Sequence, residues 1–252
     1  AERLQTLGAK VDAVLGNLKF DAKPDITQLA LAKTWKQKLQ RPVVLFTSSR
    51  EGEEQLLLEI LEKKVSAAPA NPGSDAIKKG ASVDTSMGIQ WLIVPRHPQR
   101  FDEVRALAEH HGQTVSRRST WGDGPSYPET SDVVWLGDSL GEMALYYGMA
   151  DAVLLGGSFA PLGGQNLIEA AACGCPVIMG PHTFNFLEAA ELAIQAGAAR
   201  RADSLNRAVQ QALALTCDPV DHAAMSAAAL AFAQAHRGAT QRTAEAVVAL
   251  LD

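Results

Sequence analysis

The sequence predicts an α/β fold: a Rossmann-like parallel sheet with helices on both faces. Three observations lead there. Short apolar, β-branched runs recur between residues 42 and 181, each ending in small or polar residues. Helix-length stretches separate them, which is the pattern of βαβ units joined by right-handed crossovers. The polar clusters fall just after the apolar runs, at the carboxyl ends of the strands, where such sheets collect ligands.

In chain order, AERLQTLGAK at the start already reads as helix. PVVLFTSS, Pro42 to Ser49, is the first buried strand. EGEEQLLLEILEKK follows as a helix, with acids in its first turn and lysines in its last, in keeping with the macrodipole. The stretch from Ser66 to Met87, rich in Pro, Gly, Ser and Asp, is expected to be a solvated loop or a disordered insertion. WLIVPRHP is a second strand, and RFDEVRALAEHHG a helix. VVWLGDSLGEM gives a third strand closing on Gly-Asp-Ser, with a helix from about Glu142 to Met149. DAVLLGGSF is the fourth strand, GGQNLIEAAACG starts the next helix, and PVIMGP is the fifth strand. From Leu187 to Leu251 the alanine-rich sequence predicts helices only.

The 252 residues leave room for one large α/β domain, or for one domain and part of another, and 47% apolar content supplies its core. No uninterrupted apolar run reaches the roughly 18 residues that a spanning helix needs. A formal charge of -5 argues against nucleic acid as the main partner, because phosphate backbones are held by Lys and Arg. Cys173 and Cys175, with no second cysteine pair or histidine cluster nearby, are expected to be small buried fillers in a reducing compartment rather than metal ligands. There is no Walker signature, no G-x-G-x-x-G after the first strand and no G-x-S-x-G elbow, which disfavours P-loop, dinucleotide and hydrolase readings. A start at Ala1, already in a helical pattern, fits a piece of a longer protein.

The chemistry gathers on the strand-end loops. In GGQNLIEAA the glycines let backbone approach a ligand, and Asn166 either caps the helix that follows or bonds the ligand itself. Free N–H groups at a helix start favour a phosphate. Glu169, one turn on, suits the vicinal hydroxyls of a ribose, or is simply a surface acid. Arg96, stiffened between Pro95 and Pro98, can fork two hydrogen bonds onto a phosphate or carboxylate, or make an internal ion pair. His97 beside it is given no proton-transfer role. Gly141 leaves the backbone open to a base or phosphate, while Glu142 either meets the ligand or caps its own helix.

Taken in order, GNLKFD, TSSREGEE, VPRHPQRF, GDSLGEM and GGSFAPLGGQNLIEAAACGCPVIMGPHTFNF resemble the 3-deoxy-D-manno-octulosonic acid (Kdo) transferases of lipopolysaccharide synthesis, from about Gly16 to Phe186. The resemblance implies a GT-B glycosyltransferase, in which two Rossmann-like domains face each other across a cleft. This chain would be the carboxyl-terminal donor half. Residues 1–40 would be the end of the first domain and the linker, 41–239 the nucleotide-sugar domain, and 240–252 a helix packing back toward the first domain.

The resemblance carries Pro95, Arg96, Leu140, Gly141, Glu142, Asn166, Leu167, Ile168 and Glu169 over as the CMP-binding positions. Lys19 carries over as a lysine that offsets charge at the reacting centre. Ser48, Ser49, His97, Gly164, Gln165 and His182 stand on the same loops as further candidates. The common family form has His at the position of Gln165 and Pro at that of Leu167; Gln165 keeps a donor and an acceptor. The implied donor is CMP-Kdo, and the implied acceptor is the lipid A precursor lipid IVA, held by the other domain together with the general base. The resemblance implies no metal or other cofactor and no nucleic-acid partner. It implies action at the cytoplasmic face of the bacterial inner membrane, attached through the other half, with this part soluble. Two rival readings are a GT-B enzyme that uses a UDP-sugar, and a non-catalytic nucleotide-binding module.

Overall fold

A computed structural model describes residues 2–21, 23–39, 41–66, 88–125 and 133–249 of the chain. Its opening elements are α1 (Glu2–Thr6), a 3-10 turn at Leu18–Asp21 and α2 (Ile26–Lys38). β1 (Val43–Ser49), α3 (Glu53–Ser66), β2 (Gln90–Pro95), α4 (Phe101–His110), β3 (Thr114–Arg117) and β4 (Val133–Leu136) come next. α5 (Met143–Met149), β5 (Ala152–Leu155), α6 (Ile168–Ala172), β6 (Val177–Met179), α7 (Leu187–Gln195) and β7 (Ala199–Arg201) follow. α8 (Leu205–Thr216), α9 (Pro219–Ala235) and α10 (Ala239–Val248) complete the chain.

The strands form one sheet in the order β3-β4-β2-β1-β5-β6-β7, with every neighbouring pair parallel. The α/β class is as expected, but the sheet has seven strands rather than five. β3 is a half-exposed edge strand of four residues, TVSR, and β7 is three residues, ARR, at the opposite edge. An edge strand faces water along one side and needs no long apolar run, so neither gave the β-branched signal used for the others. β7 also corrects the expectation of helices only after Leu187. The expected loop from Ser66 to Met87 lies, beyond Ser66, outside the described residues.

Covering both faces explains why the central strands read as continuous apolar runs. Val43 and Leu45 of β1 point into one core with Trp35, Trp135, Leu145, Val153 and Phe232. Val44 and Phe46 point into the other, with Leu57, Val104, Val209 and Leu215. α2 belongs to the first layer: Ala32 and Trp35 are buried, and α2 lies so close to α5 that a Cβ at Gly148 would fall 2.8 Å from the Ala32 methyl. Asp25 caps α2, accepting from the N–H groups of Thr27 and Gln28 at 2.8 and 3.2 Å. At the other end of the chain, α10 is tied to the 3-10 turn at Leu18–Asp21. The Asp21 carboxylate accepts from the N–H groups of Gly238 and Thr240, and the Arg242 guanidinium donates to the Leu15 carbonyl.

The chain runs outward from β1 through β2 to β3 at the edge, returns to β4 between β3 and β2, then crosses to β5 on the other side of β1. The crevice therefore opens at the carboxyl ends of β1 and β5. There the two backbones nearly touch, since a Cβ at Gly156 would lie 2.5 Å from the Ser48 carbonyl oxygen. Only glycine fits that approach. Ser48 itself bulges from the β1–β2 ladder with φ 50, a left-handed conformation that is uncommon outside glycine.

Candidate functional site

A hollow of about 290 Å³ opens over this crevice, lined by Ser48, Pro95, Arg96, Leu140, Gly141, Gln165, Asn166 and Glu169 among others. Four strand-end loops deliver these residues, and three local networks hold them.

The first network fixes the floor. Glu53 and Glu54, read from the sequence as dipole-matching acids, are buried scaffold groups, 1% and 0% exposed. The Glu53 carboxylate accepts from four backbone N–H groups: Arg50 and Gly157 at 3.0 and 2.7 Å, Phe159 and Ala160 at 3.1 and 3.3 Å. It thereby laces the loop after β1 to the loop after β5. Burial pushes its carboxyl above the ordinary range, and the four N–H groups pull back against that. Glu54 accepts from the Ser49 hydroxyl at 2.7 Å and pairs with Arg100 at 2.7 Å, which joins β1 to the loop after β2. Ser49 is therefore buried and committed to Glu54, and does not face the hollow.

The second network shapes the loop after β4. Gly141 has φ 77, and its carbonyl accepts from the Gln28 amide of α2 at 2.8 Å. Leu140 beside it is 75% exposed, an apolar side chain on the lip of the hollow. The Glu142 side chain turns away. One of its oxygens accepts from Arg118 at 2.7 Å and the other from the Ser139 hydroxyl, and Glu142 does not cap α5. The Arg118 guanidinium in turn lies 5.2 Å from the Trp35 ring and 5.9 Å from that of Trp121. Behind the loop, the Arg117 side chain and the hydroxyl and N–H of Ser119 bind Asp138.

The third network sets the start of α6. Asn166 Oδ1 accepts from the Ile168 N–H at 3.1 Å, and its Nδ2 donates to Glu169 Oε1 at 2.9 Å. Asn166 thus binds a free N–H at the start of α6, as the capping reading expects, and its amide also orients the Glu169 carboxylate. Among the described residues Glu169 Oε2 accepts no hydrogen bond, and the side chain lines the hollow. Leu167 and Ile168 are 1% and 0% exposed and pack in the core, so they offer the hollow no side chain. Arg96 is exposed, its N–H donating to the Ser49 carbonyl at 3.0 Å and its Nε to Gln165 Oε1 at 3.2 Å. Among the described residues it forms no ion pair.

The remaining candidates lie outside the lining. His97 is exposed at the start of the 3-10 turn after β2, and the N–H groups of Gly164 and His182 are bound to the Gly157 and Ser158 carbonyls. Lys19 is exposed, its ammonium 4.2 Å from the Phe186 ring centroid. Sequence reasoning missed Tyr147, a buried residue of α5 that lines the hollow with its hydroxyl 3.4 Å from that of Thr47; burial raises its pKa. Nothing in sequence separates such a tyrosine from an ordinary core aromatic. A second hollow of about 310 Å³ shares Gly141, Met143, Tyr147 and Glu169 with the first and extends to Lys23, Asp25 and Gln28. Cys173 lines it half-buried and Cys175 is buried, both free thiols; burial, then Glu169, pushes Cys173 up to about 12.

No family model matches the chain. It is 44% identical over 245 residues to the 3-deoxy-D-manno-octulosonic acid transferase of Bordetella pertussis, covering 97% of the chain and 53% of that protein. With the transferase of the same description from Haemophilus influenzae it shares 32% over 222 residues, covering 84% and 46%. The chain thus spans about half the length of the curated relatives it matches. Among solved structures, the C-terminal CMP-Kdo binding domain of WaaA from Acinetobacter baumannii superposes with a TM-score of 0.68 at 27% identity, over 83% of this chain and 100% of that one. Alignment along nearly its whole length, and a fold shared with all of that domain, place the chain in the 3-deoxy-D-manno-octulosonic acid transferase family.

Proposed function

We propose that this chain is the donor-binding half of a Kdo transferase, holding CMP-Kdo for transfer to the lipid A precursor lipid IVA. The observation that carries the reading is the convergence around one hollow of an exposed Arg96 and a Glu169 oxygen, neither with a partner of opposite kind among the described residues, and the apolar lip at Leu140. Arg96 supplies the charge and the fork for the phosphate. Glu169, oriented by Asn166, accepts from the ribose hydroxyls. Pro95, Leu140 and the open backbone at Gly141 border the cytosine.

The reaction is an inverting displacement. The acceptor hydroxyl oxygen attacks the anomeric carbon as the bond from that carbon to the phosphate oxygen breaks, and CMP leaves with the bonding pair. Arg96 is placed to offset the charge that builds on the departing phosphate, and Lys19 is the second cation assigned to that role. A general base must take the acceptor's proton. No carboxylate of this chain is assigned to it: Glu53 and Glu54 are buried and saturated, and Glu142 is paired. The reading places the base and the acceptor in the other half of the protein, together with attachment to the cytoplasmic face of the inner membrane, and assigns no metal. Among the described residues no helix is long and apolar enough to cross a membrane.

Calorimetry with CMP and UMP on the wild-type chain tests the donor. Saturable binding of CMP in preference to UMP is expected. Equal binding would favour the UDP-sugar class, and no binding of either would end the reading. Joined to the remainder of the protein, the chain should support transfer of Kdo to a lipid acceptor, and the isolated chain should transfer none.

A further inference from the structure

The arginines around the carboxyl rim divide by partner. Arg100, Arg117, Arg118 and Arg201 each meet a carboxylate, at 2.7, 2.6, 2.7 and 2.8 Å. Arg96 and Arg50 meet none among the described residues. Both stand next to the same neutral side chain. Gln165 Oε1 accepts from Arg96 Nε at 3.2 Å. On its other side Gln165 and Arg50 share the space over Gly157: a Cβ there would lie 3.2 Å from Gln165 Nε2 and 3.5 Å from Arg50 Cγ. An amide can steady the Arg96 guanidinium without neutralising it, and Arg50, whose Cγ lies by the same amide, meets no carboxylate among the described residues, which leaves both charges for a ligand.

Glu51, the acid next to Arg50, is exposed and pairs with no cation among the described residues, and the two acids that follow do not cancel Arg50 either. The Glu53 carboxylate is buried beneath four backbone N–H groups, one of them that of Arg50 itself, and the Glu54 carboxylate is held by Arg100 and Ser49. Arg50 directly follows Ser48 and Ser49, at the end of the central strand, and Ser48, Arg96 and Gln165 all line the hollow.

Two arginines beside one amide, neither meeting a carboxylate among the described residues, suit a ligand with two anionic groups held close together. Resting on the donor reading above, we propose that Arg50 is a second anion-binding residue of the donor pocket, taking the sugar carboxylate while Arg96 takes the phosphate. In a nucleotide-activated 2-keto sugar acid both groups are attached to the anomeric carbon. A pair of cations can therefore grip them together and select acid sugars over neutral ones. Gln165 is the positioning residue that spaces the pair.

Three probes on the full chain read this out: cytidine, CMP and freshly prepared CMP-Kdo, titrated into wild type, Arg50→Ala, Arg50→Lys and Arg96→Ala. Arg50→Ala is expected to weaken CMP-Kdo about tenfold or more while leaving CMP within about twofold, and Arg50→Lys to recover part of the loss. Arg96→Ala is expected to weaken CMP and CMP-Kdo together and leave cytidine unaffected. If Arg50→Ala weakens CMP and CMP-Kdo equally, or weakens neither, the carboxylate assignment is wrong although the donor reading stands. If wild type binds neither CMP nor CMP-Kdo, the donor reading itself fails.

Discussion

Glu53, at the first turn of α3, and Glu169, at the first turn of α6, occupy equivalent places in two βα units, yet their surroundings differ in kind. Glu53 is 1% exposed, and its two oxygens accept from four backbone N–H groups. Glu169 is half-buried, accepts one hydrogen bond from Asn166, and keeps an oxygen free toward the hollow. The first carboxylate is saturated and holds two loops together. The second is oriented but unfinished, and only a group with spare hydrogen-bonding capacity at an open wall can gain by meeting a ligand. On one rim, counting unfilled valences separates scaffold from site better than residue type does.

The scaffold side of that contrast should show the largest stability losses. Glu54→Ala leaves Arg100 with only the exposed Glu103 as a carboxylate partner and the Ser49 hydroxyl without its acceptor, and losing charge-assisted hydrogen bonds of this kind costs about 1.5–3 kcal/mol. Glu53→Gln retains one acceptor oxygen where two now serve four donors, which should cost about 1–3 kcal/mol. Urea unfolding monitored by circular dichroism measures both. A midpoint unchanged in either variant would show that these acids are not the staples described here.

The site side should behave in the opposite way. Glu169→Ala is expected to leave the unfolding midpoint nearly unchanged and to weaken CMP about tenfold by calorimetry. The loss should shrink when 2′,3′-dideoxycytidine monophosphate replaces CMP, because the hydroxyl partners of the carboxylate are then absent from both sides of the comparison. An equal loss for the two nucleotides would move Glu169 from the ribose to the scaffold class. Glu142 sharpens the division, since sequence placed it with Glu169. Its oxygens are bound by Arg118 and Ser139 at 18–24% exposure of the ion pair, so Glu142→Gln should cost about 1 kcal/mol of stability and change CMP affinity less than twofold.

Much of this was legible in the sequence, for reasons that can be assigned to particular residues. β1 and β2 announced themselves because both of their faces are covered, which forces apolar residues at every position. Arg96 stood out because it directly follows a buried strand, between two prolines, Asn166 and Glu169 because they open a helix after a glycine pair, and Leu167 and Ile168 only through the resemblance. What sequence could not supply was the direction of each side chain. Glu53, Glu142 and Glu169 all stand near helix starts that follow strands. Only the fold puts backbone N–H groups over the first, Arg118 beside the second and empty space before the third. β3 and β7 were illegible for a different cause: edge strands of four and three residues bury too little to leave a hydrophobic pattern.

The smallest effect is the one with a sign to check. Asp138 sits behind the loop after β4. Burial works to raise its carboxyl, but the hydroxyl and N–H of Ser119 together with Arg117 outweigh that and hold it below its ordinary value of 3.8. A carboxyl depressed in the folded state binds its proton more readily in the unfolded chain. Asp138 therefore adds stability at pH above 3.8, and that contribution drains away as pH falls through the lower folded value. Glu53 has the opposite sign. Its carboxyl is raised by burial above 4.5, so the folded chain takes up that proton first, and lowering pH through the raised value relieves a cost instead of adding one. Unfolding free energies measured from neutral pH down to about pH 3 should therefore fall less steeply in Asp138→Asn than in wild type, and more steeply in Glu53→Gln. Parallel acid limbs in all three proteins would mean that neither carboxyl is shifted by folding. They would leave the contrast between saturated and open carboxylates resting on affinity alone.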